Sequence, residues 1–235
     1  MSGPSATPVS GWRMGTVTFV GHPSPHAVIL RVQVPDRVNH VPGQHYVIRL
    51  TAADGYTAQR SYSVASAPAD AELEFYIERL DGGEVSPFLA EIVEVGDELE
   101  MRGPIGGWFT WNGDEPAFGI AGGAGAVPLV AMARHARVRG TARLLHVAVS
   151  ARAAADVPYP DELADIGALI ALTREDAPSR PAGRLIASEL APMLPAQGTC
   201  YVCGSAAFAE GASELLISCG VAPNRIRLER FGPSG

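Results

Sequence analysis

The sequence predicts a β plus α/β architecture. A small antiparallel barrel spans residues 11–113, a Rossmann-like unit with a parallel sheet spans 114–235, and a short flexible N-terminus of residues 1–10 precedes both. Three observations carry this expectation. Apolar and polar residues alternate in short runs through the first hundred residues, the period of half-buried strands. Turn residues punctuate those runs: Pro42-Gly43, Asp54-Gly55, Asp81-Gly82-Gly83 and Gly96-Asp97. Beyond Asn112-Gly113-Asp114 the rhythm changes to strands alternating with helix-period segments, which argues a sheet covered on both faces.

In chain order, strands are expected at 13–20, 28–34, 46–50, 61–65, 73–77 and 98–102. The second is the clearest, with Val28, Leu30, Val32 and Val34 inward and Arg31 and Gln33 outward. Six short strands in about a hundred residues suggest a small barrel. In the second part a buried strand at 117–121 leads through glycines into a helix carrying Val127, Val130, Ala131 and Arg134. Strands follow at 143–149, 168–173, 199–203 and 225–230, with helices near 184–190 and over 206–219. The division is expected between residues 112 and 115.

Composition narrows the function classes. Apolar residues make up 47% and charged residues 18%, enough for a packed core. A net charge of −7 disfavours non-specific nucleic-acid binding, which needs excess Lys and Arg. Residues 1–10 lack an apolar signal-peptide core, and the longest apolar stretch, 120–133, is broken by three glycines and a proline. A cytoplasmic protein without membrane insertion is expected; its oligomeric state stays open.

No metal site is expected. Cys200 and Cys203 form a C-x-x-C, but on a strand residues three apart face opposite sides, and no second ligand pair accompanies them. His22 and His26 are four apart, yet Pro23 and Pro25 exclude a helix there. Trp108 and Trp111 are expected to pack as core at the domain junction.

Two segments carry chemistry. Gly122-Gly123-Ala124-Gly125-Ala126-Val127-Pro128 sits between a strand and a helix. There glycines let a pyrophosphate approach, and the helix start supplies free N–H groups. Pro128 stands where the common dinucleotide fingerprint has its third glycine; a tight turn without ligand is the alternative. Arg60-Ser61-Tyr62-Ser63 places a phosphate partner, an aromatic plane and hydroxyls on one alternating strand. An ordinary strand with an exposed Arg and a packed Tyr is the alternative there.

With these segments in view, nearly the whole chain resembles the ferredoxin–NADP reductase superfamily. Five motifs occur in that family's order: R-x-Y-S at Arg60, Tyr62 and Ser63; G-x-x-S at Gly83-Glu84-Val85-Ser86; and G-x-G-x-x-P at Gly123, Gly125 and Pro128. A strand-ending Cys203-Gly204 and an E-x-F at Glu229 and Phe231 complete the set. The resemblance implies a six-stranded Greek-key barrel that binds FAD and a second domain that binds NADP or NAD. Arg60 would pair with the FAD pyrophosphate, with Val85 and Ser86 N–H groups beside it. Tyr62 would lie against the isoalloxazine, and Ser63 would hydrogen-bond near its N5. Ser61, Tyr76 and Ile77 join the implied flavin site. Cys203 would line the hydride path, and Phe231 would cover the flavin or hold the nicotinamide place. Ser63, Cys203 and Phe231 are the implied catalytic positions. Ser150, Arg152, Arg174 and Arg184 are the implied nucleotide-side residues. The three arginines favour NADPH, because guanidinium matches a 2′-phosphate, and three solvated surface arginines are the alternative.

The implied activity is transfer of a hydride from NAD(P)H to FAD, then of electrons to a separate ferredoxin, flavodoxin, cytochrome or oxygenase component. The sequence holds no C-x₄-C-x₂-C cluster run of the kind fused reductases carry. Four residues, Gly232-Pro233-Ser234-Gly235, follow Phe231, where plant-type members end on the aromatic. A flavin-binding electron-transfer subunit without its own NAD(P)H turnover is the second reading.

Overall fold

The computed structural model describes residues 11–177 and 179–231; the N-terminal segment and the four residues after Phe231 lie outside the described residues. The first sheet contains β1 (Arg13–Ser24), β2 (Ala27–Gln33), β3 (His45–Thr51), β4 (Thr57–Ser63), β5 (Leu73–Glu78) and β6 (Glu98–Ile105), with helix α1 (Ser86–Glu91) before β6. Its order is β4-β3-β6-β1-β2-β5, and every pairing is antiparallel. A bridge between Val64 and Phe75 brings the two edge strands together. The alternation that predicts β2 is realised: Val28, Leu30 and Val32 are fully buried in the barrel core with Phe75, Ile77 and Leu89. Each such side chain contributes about 1.5–3 kcal/mol by leaving water.

Two barrel strands differ from expectation. β1 runs on to Ser24, through Pro23, because Ser24 pairs with Ala27 across a two-residue turn; the register shifts between Gly21 and Ser24. β4 covers Thr57–Ser63 instead of 61–65, since its ladder with β3 begins at Thr51–Thr57 and Val64 departs toward β5. Pairing partners set these ends, and the strand's own residues do not reveal them.

The second sheet is parallel, in the order β11-β10-β7-β8-β9. Its strands are β7 (Ala117–Gly122), β8 (Leu145–Ala151), β9 (Leu169–Leu172), β10 (Thr199–Ser205) and β11 (Ile226–Phe231). The helices are α2 (Val127–Arg139), α3 (Pro160–Asp165), α4 (Ala187–Leu190) and α5 (Ala206–Ser218). One face buries Leu129, Met132, Val147, Leu163, Tyr201 and Cys203; the other buries Phe118, Ile120, Leu190, Cys200 and Leu216. Cys200 and Cys203 thus lie in different cores. The start of the expected strand 143–149 is a 3₁₀ turn, Ala142–Leu144, and the expected helix 184–190 contracts to α4 followed by a 3₁₀ turn, Ala191–Met193. Helix α3 had no forecast in the sequence pattern.

From β7 the chain moves to β8 on one side and later returns to β10 on the other. That reversal opens a crevice beyond the C-terminal strand ends, where α/β sheets bind ligands. The barrel meets this edge through Ala27, Ala65, Tyr76 and Val127, with Ala124 and Tyr159 packed against them. Trp111 is buried and donates from Nε1 to the Glu115 carbonyl. Trp108 corrects the expectation of core: it is 65% exposed, with the Arg227 guanidinium 5.3 Å from its ring centroid. Gly106, at φ +99°, turns the chain so that Phe109 and Trp111 enter the core instead. No helix among the described residues is long and apolar enough to cross a membrane.

Candidate functional site

The glycine turn lies at the switch point. Gly123–Ala126 forms one 3₁₀ turn directly ahead of α2, and Pro128 occupies the first turn of that helix, where its missing N–H has no intrahelical acceptor to lose. Gly123 is in the left-handed region at φ +53° and faces open space. Gly125 is required by contact: a Cβ there would sit 2.3 Å from the Cys203 carbonyl oxygen. Gly204, at φ +153°, and Gly122 both lie under the Phe208 ring, each leaving 2.8 Å where a Cβ would be. The turn is therefore locked onto the Cys203-Gly204 corner, so the third and fourth sequence motifs form one surface. Ser150 pairs with Gly122 at the same edge. Phe208 is absent from the motif reading, because only packing shows it roofing two glycines.

On the barrel side, Arg60 and Tyr62 share one face of β4 and Ser63 takes the other, with Ser61 exposed. Arg60 donates to the Gln59 carbonyl. Burial raises the Tyr62 phenol's pKa, which keeps it protonated, with the Arg60 charge pulling weakly the other way. In the next motif Gly83 donates to the Leu80 carbonyl, and Ser86 is buried, its Oγ accepting from Leu80 N–H. The Ser86 hydroxyl thus closes the turn. Tyr56, unmarked by the sequence, donates to Glu84 at 2.7 Å and ties the β3–β4 turn to this motif. Tyr76 lines the domain junction, its phenol pushed up to about 12 by burial. Ile77 points into the barrel core, so its side chain is closed to a cofactor and only its backbone remains for that role.

The two halves meet at His45. Ser63 is its partner across β3 and β4, and the Glu229 Oε1 lies 3.8 Å from its Nδ1. Glu229 pairs with Cys203 on β10. Burial pushes the Glu229 carboxyl up to about 7 and lowers the His45 imidazole. Burial also raises Cys203 well above its ordinary value, with the Glu229 charge adding to the effect, so this thiol is a neutral wall and no nucleophile. Phe231 pairs with Ser205 at the end of β11 and packs partly against the sheet core. Two atoms here, Ser63 Oγ and Glu229 Oε2, are buried without a hydrogen-bond partner among the described residues, as is Tyr62 Oη on the opposite face of β4. Leaving such groups unpaired costs about 1–3 kcal/mol each. A bound group with polar edges and a flat apolar body fits this seam, which is the chemistry of a flavin.

Arg152 follows β8 and Arg174 follows β9, joined by a backbone hydrogen bond from Arg174 N to Arg152 O. Gly183 bonds to Leu172, which brings Arg184 to the same strand end; all three side chains are exposed. Carboxylates stand among them: Glu175 accepts from Ala154 N and Asp156 from Ala153 N.

A barrel with a polar seam, set against a parallel sheet whose switch point carries a glycine turn, defines a two-domain flavin and dinucleotide oxidoreductase. Residues 16–110 match the family model of the oxidoreductase FAD-binding domain. The chain is 28% identical over 232 residues to the ferredoxin–NAD(P)(+) reductase component of naphthalene 1,2-dioxygenase/salicylate 5-hydroxylase systems from Ralstonia sp. That alignment covers 94% of this chain and 69% of the relative. It is 34% identical over 148 residues to the propane 2-monooxygenase reductase component of Gordonia sp., covering 61% of this chain and 42% of that one. Among solved structures, Amycolatopsis cytochrome P450 reductase GcoB superposes with a TM-score of 0.81 at 25% identity, covering 96% of this chain and 71% of that one. Residues 16–110 thus carry an oxidoreductase FAD-binding domain, and the chain as a whole shares its fold with the Amycolatopsis reductase. The part of this chain that aligns covers less than half of the Gordonia reductase.

Proposed function

We propose that this protein is the NAD(P)H-oxidising reductase component of a redox system, delivering electrons to an acceptor outside this chain such as a ferredoxin, flavodoxin, cytochrome or oxygenase component. The observation that carries this is the junction at His45, where the Ser63 and Glu229 edges of the two sheets meet beside unpartnered buried polar atoms. FAD, when bound, supplies the redox chemistry, taking two electrons together and releasing them singly. Arg60 holds the pyrophosphate, with the N–H groups of Val85 and Ser86 alongside. Tyr62 supports the ring and Ser63 offers its hydroxyl to the ring edge. Gly123 and Gly125 admit the dinucleotide, and Cys203 and Gly204 form the wall against which the nicotinamide rests. Phe231 holds the nicotinamide's place at the sheet edge.

NADPH is the preferred donor in this reading, with Arg152, Arg174 and Arg184 toward the 2′-phosphate. The acceptor class follows from the relatives, which are reductase components of dioxygenase and monooxygenase systems. The test is anaerobic stopped-flow mixing of the purified flavoprotein with NADPH or NADH, followed by its flavin absorbance. Fast bleaching supports the reductase. A protein that retains no FAD on reconstitution, or a flavin that neither nucleotide bleaches, refutes it.

A further inference from the structure

Glu74, on β5, is a buried carboxylate, only 5% exposed. Its partners come from both halves. Oε1 accepts from Arg134 Nη1 of α2 at 2.7 Å and from Tyr159 Oη at 3.0 Å, while Oε2 accepts from Arg31 Nε of β2 at 2.8 Å. Burial alone would raise this carboxyl, but the Arg134 charge and the three hydrogen bonds overcome it and hold the pKa below its ordinary value. Arg134 also donates to the Ala65 carbonyl at 3.0 Å and forks onto Glu162 at 2.9 and 2.6 Å. Its guanidinium lies 4.8 Å from the Tyr159 ring centroid, and that ring packs on Tyr76.

Tyr159 adopts a left-handed backbone, φ 49° and ψ 53°, unusual for a large side chain and sustained only where surroundings over-determine it. Those surroundings are this cluster. A cleft of about 450 Å³, lined by Arg31, Gln33, Ser66, Asp70, Glu72 and Arg134, opens beside it. Ala65 and Tyr159, which belong to the apolar cluster at the junction, are thus held by these polar contacts as well.

The two segments gripped here carry the proposed chemistry. Ala65 lies two residues past Ser63. Arg134 lies two turns along α2 from Val127, on the same helix face, and the glycine turn ends where α2 begins. We propose that Glu74 is a positioning residue for hydride transfer: through Arg134 and Tyr159 it fixes the angle at which the dinucleotide turn faces the flavin strand. This role rests on the NAD(P)H-to-FAD reading above. Glu74 touches neither cofactor in this scheme and acts through a rigid helix and a strand end.

The experiment compares wild type with Glu74→Gln and Tyr159→Phe. It measures flavin content, the limiting rate of flavin reduction, the half-saturating NAD(P)H concentration and hydrogen exchange of the flavin-free protein. Misplacing reacting atoms by about 1 Å costs on the order of a hundredfold in rate. The expected result for Glu74→Gln is a limiting rate reduced about tenfold or more, with flavin content and half-saturation within about twofold of wild type. Exchange should rise around residues 64–67 and 157–163 and stay unchanged in β3. Tyr159→Phe, which loses one hydroxyl and keeps the ring, should show the same pattern at smaller size, and it carries the test if the Gln variant does not fold. An unchanged limiting rate, a rate loss proportional to flavin loss, or exchange raised throughout the barrel overturns the positioning role. A wild-type flavin that NAD(P)H does not bleach overturns the functional reading itself, whereas bleaching in wild type with no change in either variant defeats the positioning role alone.

Discussion

Glu229 offers a prediction whose size follows from the structure. Its side chain is 22% exposed, Oε2 has no partner among the described residues, and burial pushes its pKa from 4.5 to about 7. The groups facing it are the His45 imidazole on β3 and the Cys203 thiol on β10, and burial favours the neutral form of both. Between pH 4.5 and 7 the folded chain keeps a proton that the unfolded chain has released. Stability from this group is therefore complete below pH 4.5 and is lost as pH rises through 7. At 1.36 kcal/mol per pH unit the full effect is about 3 kcal/mol, an upper bound given the partial exposure. Glu229→Gln is uncharged throughout and lacks this slope. Urea unfolding of flavin-free wild type and variant, in steps from pH 4.5 to 8, measures the difference. The variant should gain about 3 kcal/mol on wild type across that range. His40, whose imidazole burial lowers to about 4, adds an acid-side slope of opposite sign, but it is common to both proteins and cancels in the comparison. A stability difference that does not vary with pH would refute the burial argument.

Other substitutions probe the separate parts of the site. Arg60→Ala removes a guanidinium whose hydrogen bond is to the adjacent Gln59 carbonyl. Flavin titration should show affinity weaker by about 2 kcal/mol, the worth of a charge-assisted hydrogen bond, with the flavin-free melting temperature unchanged; an unchanged Kd removes the phosphate role. Gly125→Ala drives a Cβ into the Cys203 carbonyl and should cost about 1–3 kcal/mol in urea unfolding. Gly123→Ala faces open space and should cost about 1–2 kcal/mol through its left-handed backbone alone, so a larger loss at Gly123 would reverse the packing assignment. Arg152→Ala should raise KM for NADPH about tenfold while leaving KM for NADH within about twofold. Equal effects on the two donors would place the 2′-phosphate elsewhere.

The barrel and the parallel sheet were legible because their burial follows simple periods. Val28, Leu30 and Val32 point inward as alternation demands, and Cys200 and Cys203 fall in opposite cores as strand geometry requires. Strand ends were less legible. Ser63 ends β4 because its ladder partners lie on β3, and Pro23 stays within β1 because a hairpin continues past it. Trp108 shows the limit of residue type as a guide: its indole is as apolar as that of Trp111, yet the turn at Gly106 places it on the surface.

By itself the sequence determined the periods, the order of the motifs and the types of residue available to a flavin and a dinucleotide, since these depend on neighbours in the chain. Only the tertiary structure decided that Gly125 answers to Cys203, that Phe208 roofs Gly122 and Gly204, and that His45 joins Ser63 to Glu229. It also decided that Glu74, Arg134 and Tyr159, separated by up to 85 positions, share one buried cluster across the domain junction. The physical reason is common to all of them. Their meaning lies in contacts between segments far apart in sequence, and a buried carboxylate acquires its charge state and its role only when the chain has brought its partners to it.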